Sequence, residues 1–303
     1  MVSCGLCHYR KTRLSYLKNN YQHYFCPKCQ ALFIHPFPSN KELIAYYKKF
    51  TNSAPQQEKL IRSRSKLIIN KLRKLYPNGL DLIDIGCGYG FFLDEARKRN
   101  LSVFGIEPST KSYKYAKNNL RLNVIKADLK SFLESNRRKF DFVIYSHVIE
   151  HIKDPIKVIS QLSILLKLHG ILYIETPNVN SHLFYSEKEN YTFLLPPEHL
   201  WLFSLKSFNY LITSNLSLIQ VATISQPEHL MGIIKNIFKK NQVKNSTQTI
   251  NLTYKTQSLS QESNSIFKRF KYLLFDKTLA PLFTPLLNKN HHGSILQVYL
   301  KKI

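Results

Sequence analysis

The sequence predicts an α/β protein with a doubly wound, mostly parallel sheet and an antiparallel final strand, preceded by a small cysteine-rich module. Three observations support this prediction. Short apolar runs alternate with helical stretches from residue 80 onward, a glycine-rich turn follows the first run, and four of the five cysteines form two pairs near the N-terminus. With 303 residues, 44% hydrophobic and 21% charged, the composition excludes fibrous and wholly disordered classes.

Two Cys-x-x-Cys pairs open the chain, Cys4 with Cys7 and Cys26 with Cys29, and 18 residues separate them. Each pair can place two thiolates on one ion, and four sulfurs complete a tetrahedral shell without an open position. This spacing predicts a structural zinc in a zinc ribbon, with two unrelated thiol pairs or a redox pair as the alternative. Gln30 stands where many ribbons carry glycine, which predicts local backbone strain.

The positive charge is unevenly distributed. The chain carries 44 Lys and Arg against 19 Asp and Glu, a net charge of +25. Residues 1–80 hold +13 of it (15 basic, 2 acidic), residues 81–225 hold +3 (17 and 14) and residues 226–303 hold +9 (12 and 3). The two flanks, rather than the whole protein, are therefore candidates for contact with an anionic saccharide, a membrane surface or RNA.

The N-terminus shows no charged start followed by an apolar run, and no stretch reaches the roughly 18 apolar residues that a spanning helix needs. We therefore expect a soluble, cytoplasmic protein with reduced cysteines, and peripheral membrane contact as a secondary possibility.

The periodicity predicts the elements of the main domain in chain order. A helix over about 58–76 precedes strands at 80–85, 101–106, 122–125, 140–145 and 170–175, with helices near 91–99, 109–119, 129–136 and 154–167 between them. Strands at 216–225 and 295–300 close the sheet. The predicted domains are a zinc ribbon at 1–40, a connecting helical segment at 41–79, the main domain at 80–225, a helical and mobile insertion at 226–293, and the final strand at 294–303.

The turn after the first strand reads Asp84-Ile85-Gly86-Cys87-Gly88-Tyr89-Gly90. Its glycines permit a tight turn and a close ligand approach, and the following helix N-terminus attracts an anionic group. The third glycine falls one position too early for a dinucleotide site, and this spacing favours S-adenosylmethionine.

Two acids follow in register with that turn. Glu107 ends the second strand, where it can accept hydrogen bonds from both ribose hydroxyls, and Asp128 ends the third, within reach of the adenine amino group. A helix cap is the alternative role for each acid taken alone.

Three motifs extend the pattern: DIGCGYG at 84–90, FDFVIYSHVIEH at 140–151 and GILYIETPN at 170–178. Together they resemble class I S-adenosylmethionine-dependent methyltransferases, in particular the ubiquinone-biosynthesis O-methyltransferase type. The N-terminal cysteine segment looks like the one that precedes many bacterial methyltransferases of sugars and polysaccharides. The resemblance implies cofactor roles for Asp84, Gly86, Gly88, Gly90, Glu107 and Asp128, and places Ser146 and His147 along the methyl-transfer cleft.

A general base would assist transfer to a hydroxyl or an acidic carbon, and histidine is the natural type. His147, His151 and His199 compete for the role, with His199 first and His151 second. Glu198 and His199 match the Glu-His of deoxysugar C-methyltransferases, but Pro196 stands where that family has tyrosine. A structural role for His151 is equally compatible with its position.

Residues 176–203 are rich in Pro, Tyr and Phe, and we expect them to form a lid over the cleft. The aromatic residues Tyr185, Tyr191, Phe193 and Trp201 either shape an acceptor pocket or form the core of the lid. In the 226–293 insertion, two basic amphipathic helices are predicted, at 230–238 and from 265. Their apolar stripes either pack on the domain or lie in an anionic membrane surface.

The leading functional hypothesis is a methyltransferase with a small-molecule or glycan acceptor: a sugar, a lipid-linked saccharide or a ring hydroxyl. A ribosomal-RNA methyltransferase that uses the basic ribbon is the second hypothesis. A non-catalytic binding module that retains the cofactor fold is the third.

Overall fold

A computed structural model describes residues 1–49, 57–225, 233 and 280–303. The predicted helices at 230–238 and from 265 lie outside the described residues, apart from Ile233. No helix in the described part of the chain combines the length and apolarity needed to cross a membrane.

The N-terminal residues form a four-stranded antiparallel sheet that also takes in a distant segment. Its strands are β1 (Arg13–Lys18), β2 (Tyr21–Phe25), β3 (Leu32–Ile34) and β9 (Trp201–Leu202), in the order β1-β2-β3-β9. Asn19 and Asn20 both have positive φ angles, as a two-residue hairpin between β1 and β2 requires. The pairing of β9 with β3 joins the ribbon to the main domain.

Seven strands form the main sheet, in the order β10-β11-β8-β7-β4-β5-β6. They are β4 (Asp81–Ile85), β5 (Ser102–Ile106), β6 (Val124–Ile125), β7 (Phe140–Ser146), β8 (Leu166–Pro177), β10 (Leu216–Ile224) and β11 (Ile295–Lys302). Strands β4 to β8 run parallel, and β11 lies antiparallel to both β8 and β10. The predicted doubly wound sheet with an antiparallel final strand is confirmed.

Helices lie before, between and after these strands. They are α1 (Asn40–Lys49), α2 (Glu58–Leu75), α3 (Phe91–Arg97), α4 (Thr110–Lys114), α5 (Leu129–Ser135), α6 (Pro155–Ile164), α7 (His182–Glu187), α8 (Leu205–Phe208) and α9 (Ala280–Asn288). A π-helical turn, Tyr115–Asn119, continues α4. Buried aliphatic and aromatic residues fill both faces of the sheet.

The predicted helix at 154–167 is too long at its C-terminal end. It ends at Ile164, and β8 begins at Leu166, four residues before the predicted start of that strand. The reason is a long-range bond: the N–H of Phe140 donates to the carbonyl of Leu165 at 2.8 Å, which draws the chain into the sheet beside β7.

Candidate active site

The glycine turn connects β4 to α3 through three residues with positive φ: Gly86 (+80°), Gly88 (+54°) and Gly90 (+79°). A Cβ atom at Gly86 would lie 2.9 Å from Val148 Cγ2, whereas one at Gly88 would meet nothing within 4 Å. The turn therefore leaves open space beside Gly88, where a ligand can approach the backbone.

Glu107 lies at the end of β5 and holds the turn in place. Its Oε2 accepts from the N–H of Gly88 at 2.8 Å, and its Oε1 accepts from the N–H of Ser109 at 2.7 Å. Burial raises the pKa of Glu107 above its ordinary value. Both oxygens retain lone pairs, so the carboxylate can brace the turn and still accept from ribose hydroxyls.

Asp84 lacks a hydrogen-bond partner among the described residues. It is 5% exposed, and no described residue donates a hydrogen bond to it. Burial, together with the charge of Glu107, raises its pKa to about 8. S-Adenosylmethionine carries positive charge on its sulfonium and amino groups, so the chemistry of this acid fits that cofactor.

Asp128 acts as the N-cap of α5 in the structure: its Oδ1 accepts from the N–H of Ser131 at 2.8 Å. Hydrogen bonding to Ser131 lowers the pKa of this acid, which favours the carboxylate. The capping alternative for Asp128 is thus observed. A further contact to adenine stays a prediction.

A cavity of about 630 Å³ opens at the carboxyl ends of β4 and β7. These neighbouring strands lie where the order of the parallel sheet reverses, and open α/β sheets bind ligands at such points. The glycine turn and Asp84 form one end of the lining. The other side chains that matter for chemistry are Arg64, Ser146, His147, Glu175, Glu187 and Phe193.

His147 follows β7 with a φ of +55°, a left-handed conformation that is unusual for a non-glycine residue. Its ring lies between two carboxylates, with Nε2 3.1 Å from Glu175 Oε1 and Nδ1 3.4 Å from Glu150 Oε1. Burial alone would lower its pKa, but Glu150 and Glu175 raise it to about 9. The imidazolium form of His147 is therefore favoured at neutral pH.

Glu175 stands at the centre of a buried network that the sequence did not reveal. Arg64 from α2 forms an ion pair with its Oε1, and Gln297 donates to its Oε2 at 2.8 Å. Burial would raise the pKa of Glu175, but Arg64 and His147 hold it well below its ordinary value. The only sequence signal for Glu175 was its place at the end of a predicted strand. For Arg64 the sequence showed only that it belongs to a predicted helix rich in basic residues.

The three predicted catalytic residues lie together, beside the cavity rather than in its lining. His151 Nδ1 is 3.0 Å from the carbonyl of Glu198, His199 Nδ1 is 2.7 Å from the carbonyl of Phe193, and the two rings pack edge-on at 4.9 Å. Burial and the neighbouring His151 lower the pKa of His199 to about 4. Glu198 accepts from the hydroxyl of Tyr46 at 2.9 Å.

Glu150 links this histidine pair to the cavity. It is fully buried, and its pKa is lowered to about 2, because His147 and His151 outweigh its burial. Glu150, His151 and His199 offer ligand atoms within 4.8 Å of one another, so among the described residues they are a second group that could hold a metal ion.

The aromatic residues of the predicted lid have separate roles. Tyr191 and Trp201 are buried, and Trp201 packs against Phe33 of the ribbon at 5.1 Å. Phe193 lines the cavity, and Tyr185 is exposed. Residues 176–203 thus form one wall of the cavity and one strand of the ribbon sheet.

The ribbon brings the four predicted zinc ligands together. All four thiols are buried, with Cys4 Sγ 3.6 Å from Cys29 Sγ and Cys7 Sγ 3.4 Å from Cys26 Sγ. Zinc–sulfur bonds of about 2.3 Å in a tetrahedron place sulfurs about 3.8 Å apart, so the arrangement fits zinc. The hydrogen bond with Cys29 outweighs burial and lowers the pKa of Cys4 to about 5, so a thiolate is favoured.

The backbone of the two cysteine turns is nearly identical. The residue after each pair donates its N–H to the carbonyl of the first cysteine, His8 to Cys4 at 2.9 Å and Gln30 to Cys26 at 2.8 Å. His8 has a φ of +56° and Gln30 a φ of +59°. Gln30 thus adopts a left-handed conformation, which accounts for the backbone strain predicted there, and His8 repeats it in the first turn.

The sheet order and the cavity at the glycine turn are those of a class I S-adenosylmethionine-dependent methyltransferase fold. The chain belongs to the methyltransferase-domain family, whose profile, described as "Methyltransferase domain", matches residues 56–215, just over half of its length.

Two curated relatives are ubiquinone biosynthesis O-methyltransferases. The one from Pelagibacter ubique is 34% identical over 102 residues, covering 33% of this chain and 42% of that protein. The one from Actinobacillus pleuropneumoniae is 28% identical over 127 residues, covering 37% and 54%. The matches therefore span about half the length of these relatives.

Among solved structures, the plantazolicin methyltransferase BpumL, in complex with a monoazolic desmethylPZN analogue and SAH, has a TM-score of 0.51. The identity is 15%, and the match covers 88% of this chain and 90% of that chain. This likeness concerns the fold alone.

Proposed function

We propose that the protein transfers a methyl group from S-adenosylmethionine to a small-molecule or glycan acceptor: a sugar, a lipid-linked saccharide or a ring hydroxyl. The observation that carries the proposal is the 630 Å³ cavity, in which the glycine turn and an unpartnered Asp84 share one space with His147. The match to ubiquinone biosynthesis O-methyltransferases supports a ring hydroxyl among the three acceptors.

The cofactor half comprises Asp84, Gly86, Gly88, Gly90, Glu107, Asp128, Ser146 and His147. When bound, S-adenosylmethionine supplies a methyl group on a sulfonium, which is already an activated electrophile. Gly88 admits the ligand to the backbone, Glu107 accepts from the ribose, Asp128 faces the adenine and Asp84 balances positive charge. The protein then needs mainly to align the acceptor and exclude water.

A histidine acts as general base in this proposal. His147 is favoured by position, because it lines the cavity whereas His151 and His199 do not. A bound cation lowers the pKa of a nearby imidazole, so cofactor binding would lower the pKa of His147 from about 9 toward the neutral range. The proton of the acceptor then passes to the unprotonated ring nitrogen of His147, and Glu150 and Glu175, which face the two nitrogens, stabilise the resulting imidazolium. His199, His151 and Glu198 support this arrangement from behind Glu150.

Zinc bound by Cys4, Cys7, Cys26 and Cys29 has a structural role in this proposal. The zinc turns hold the sheet to which β9 belongs, and Ser204 donates to the carbonyl of Cys29 at 3.2 Å. The ion would thus fix the position of the cavity wall that ends in β9.

Incubation with methyl-labelled S-adenosylmethionine and separate acceptors tests the proposal. The panel contains sugar nucleotides, lipid-linked saccharides, catechols and ribosomal RNA, and Asp84→Asn serves as the inactive control. Label on a saccharide or catechol, absent with Asp84→Asn, supports the proposal. Label on RNA alone would favour a ribosomal-RNA methyltransferase instead. Cofactor binding without transfer to any acceptor would favour a non-catalytic binding module.

A further inference from the structure

The outer face of the ribbon hairpin exposes two leucines. Leu14 is 58% exposed and Leu17 is 69% exposed, both on β1. Strand β1 stands at the edge of its sheet, where β2 is its neighbour among the described strands. An apolar edge strand favours unwanted pairing, and proteins usually cover it or place charges on it.

A β-bulge puts both leucines on one face. Leu14 pairs with Tyr24 and Leu17 with Gln22, and the register shifts between Leu14 and Tyr16. Tyr24 and Gln22 are two residues apart, so they share a face of the sheet, and their partners share it as well. Without the bulge at Ser15, a spacing of three would place the leucines on opposite faces.

The same face carries an apolar row across the sheet, from Trp201 through Phe33 and Tyr24 to Leu14. Trp201 and Phe33 are buried at 2% and 3% exposure, Tyr24 is half-buried, and Leu14 is exposed. The opposite face is covered: Tyr16 packs edge-on against Phe184 at 6.1 Å, and His23 is buried. The apolar row is therefore buried at Trp201 and Phe33 and becomes exposed at its Leu14 end, on the outer side of the hairpin.

The exposed charge just before β1 is basic. Residues 1–41 contain no acidic side chain and six basic ones: Arg10, Lys11, Arg13, Lys18, Lys28 and Lys41. Of these, Arg10 and Lys11 are exposed just before β1, whereas Arg13 pairs with Phe25 and so belongs to the opposite face. Glu42 accepts from the hydroxyl of Tyr21 at 3.3 Å, at the turn end of β2. Two acids lie on the covered side of the hairpin. The charge of Glu187 interacts with Lys18, and the charge of Glu189 interacts with Tyr16.

We propose that this outer face, defined by Leu14 and Leu17 with the exposed Arg10 and Lys11 just before the strand, docks on an anionic lipid surface. Aliphatic side chains enter the acyl boundary while the cations face the headgroups. A second copy of the chain would bring like charges together. A single-stranded RNA site would present exposed aromatic side chains for base stacking, whereas this face presents leucines. The surface does not depend on the identity of the acceptor.

Co-sedimentation of the zinc-loaded protein with vesicles tests this proposal. Phosphatidylcholine vesicles with and without phosphatidylglycerol are compared for the wild type, for Leu14→Ser with Leu17→Ser, and for a control that changes two leucines elsewhere. The control pair is Leu67→Ser with Leu168→Ser, since these are 70% and 62% exposed on α2 and β8. We expect binding only to the anionic vesicles, a fall of about tenfold or more in the partition coefficient for the hairpin variant, and little change for the control.

A second variant, Arg10→Gln with Lys11→Gln, should lower binding with the leucines intact. Equal partition of the hairpin variant and the wild type would overturn the proposal, and so would equal binding to neutral vesicles or salt-sensitive binding to RNA in place of vesicles. Cofactor binding is measured on every variant by calorimetry. A variant that binds S-adenosylmethionine normally but no longer binds vesicles separates this inference from the proposed function.

Discussion

The two halves of the cavity are built from the chain in different ways. The cofactor half comes from one short turn, Asp84 to Gly90, and from Glu107 at the end of the adjacent strand. The acceptor half draws on Arg64, Glu175 and Phe193, which lie on three separate segments, and His147 of the cofactor half borders it. The cofactor half depends on backbone conformation in one turn, whereas the acceptor half depends on long-range packing, including that of the ribbon.

Loss of zinc provides the largest test of this difference. Cys26→Ser should unfold the ribbon, because a structural zinc contributes roughly 10 kcal/mol or more in small domains. The β9 strand then loses its partner β3, and methyl transfer should fall below detection. Affinity for S-adenosylmethionine should change by less than about threefold, since the glycine turn makes no use of the ribbon.

Zinc content, calorimetry and a transfer assay report these quantities for the same sample. Cys87→Ser is the matched control for zinc content alone, because Cys87 is a buried cysteine outside the ribbon, within the cofactor turn. Equal loss of cofactor binding and transfer in Cys26→Ser would show that the two halves are not separable.

A smaller effect separates the histidines. His147→Asn should lower kcat by about 10²- to 10⁴-fold, the usual contribution of a general base. His199→Asn should cost less, because His199 bonds a backbone carbonyl beside the cavity. A larger loss of kcat for His199→Asn than for His147→Asn would identify His199, which the sequence ranked first, as the general base.

The fold and the cofactor half could be predicted because their signals are local. Strand alternation and the spacing of Gly86, Gly88 and Gly90 lie within single segments, and the cysteine pairs fix their own partners. Arg64 gave no signal, since a basic residue on a helix is usually solvated. The pairing of Trp201 with Phe33 depends on residues 168 positions apart, and no periodicity reveals such a contact.

The pH dependence of cofactor binding is a gentler test of the cofactor half. Asp84, with its pKa raised to about 8, is largely protonated at pH 7, and a bound cation favours its carboxylate. Binding should release a proton, so affinity should rise with pH, by at most about tenfold per unit, and level off above about pH 8. Calorimetry at pH 7 in two buffers of different ionisation enthalpy measures the release. Asp84→Asn should reduce the release to the part that comes from His147, and an unchanged release in this variant would assign the proton to a group other than Asp84.

The smallest effect concerns the two zinc turns. His8→Gly should stabilise the ribbon by up to about 1 kcal/mol, because glycine removes the strain of a left-handed residue at φ +56°. Gln30→Gly should gain less, since Gln30 Oε1 also accepts from Asn180 at 3.0 Å. Thermal unfolding of the zinc-loaded variants compares the two. A greater gain at Gln30 would show that its hydrogen bond contributes little.

Titration of S-adenosylmethionine into the zinc-loaded protein tests the central claim most directly. We expect one site per chain with micromolar affinity, and a loss of at least about tenfold in Glu107→Ala, which removes the acceptor of the Gly88 and Ser109 N–H groups. The zinc content of this variant should equal that of the wild type. No binding heat for a folded, zinc-loaded wild type, or full affinity in Glu107→Ala, would contradict the assignment of this turn as the cofactor site.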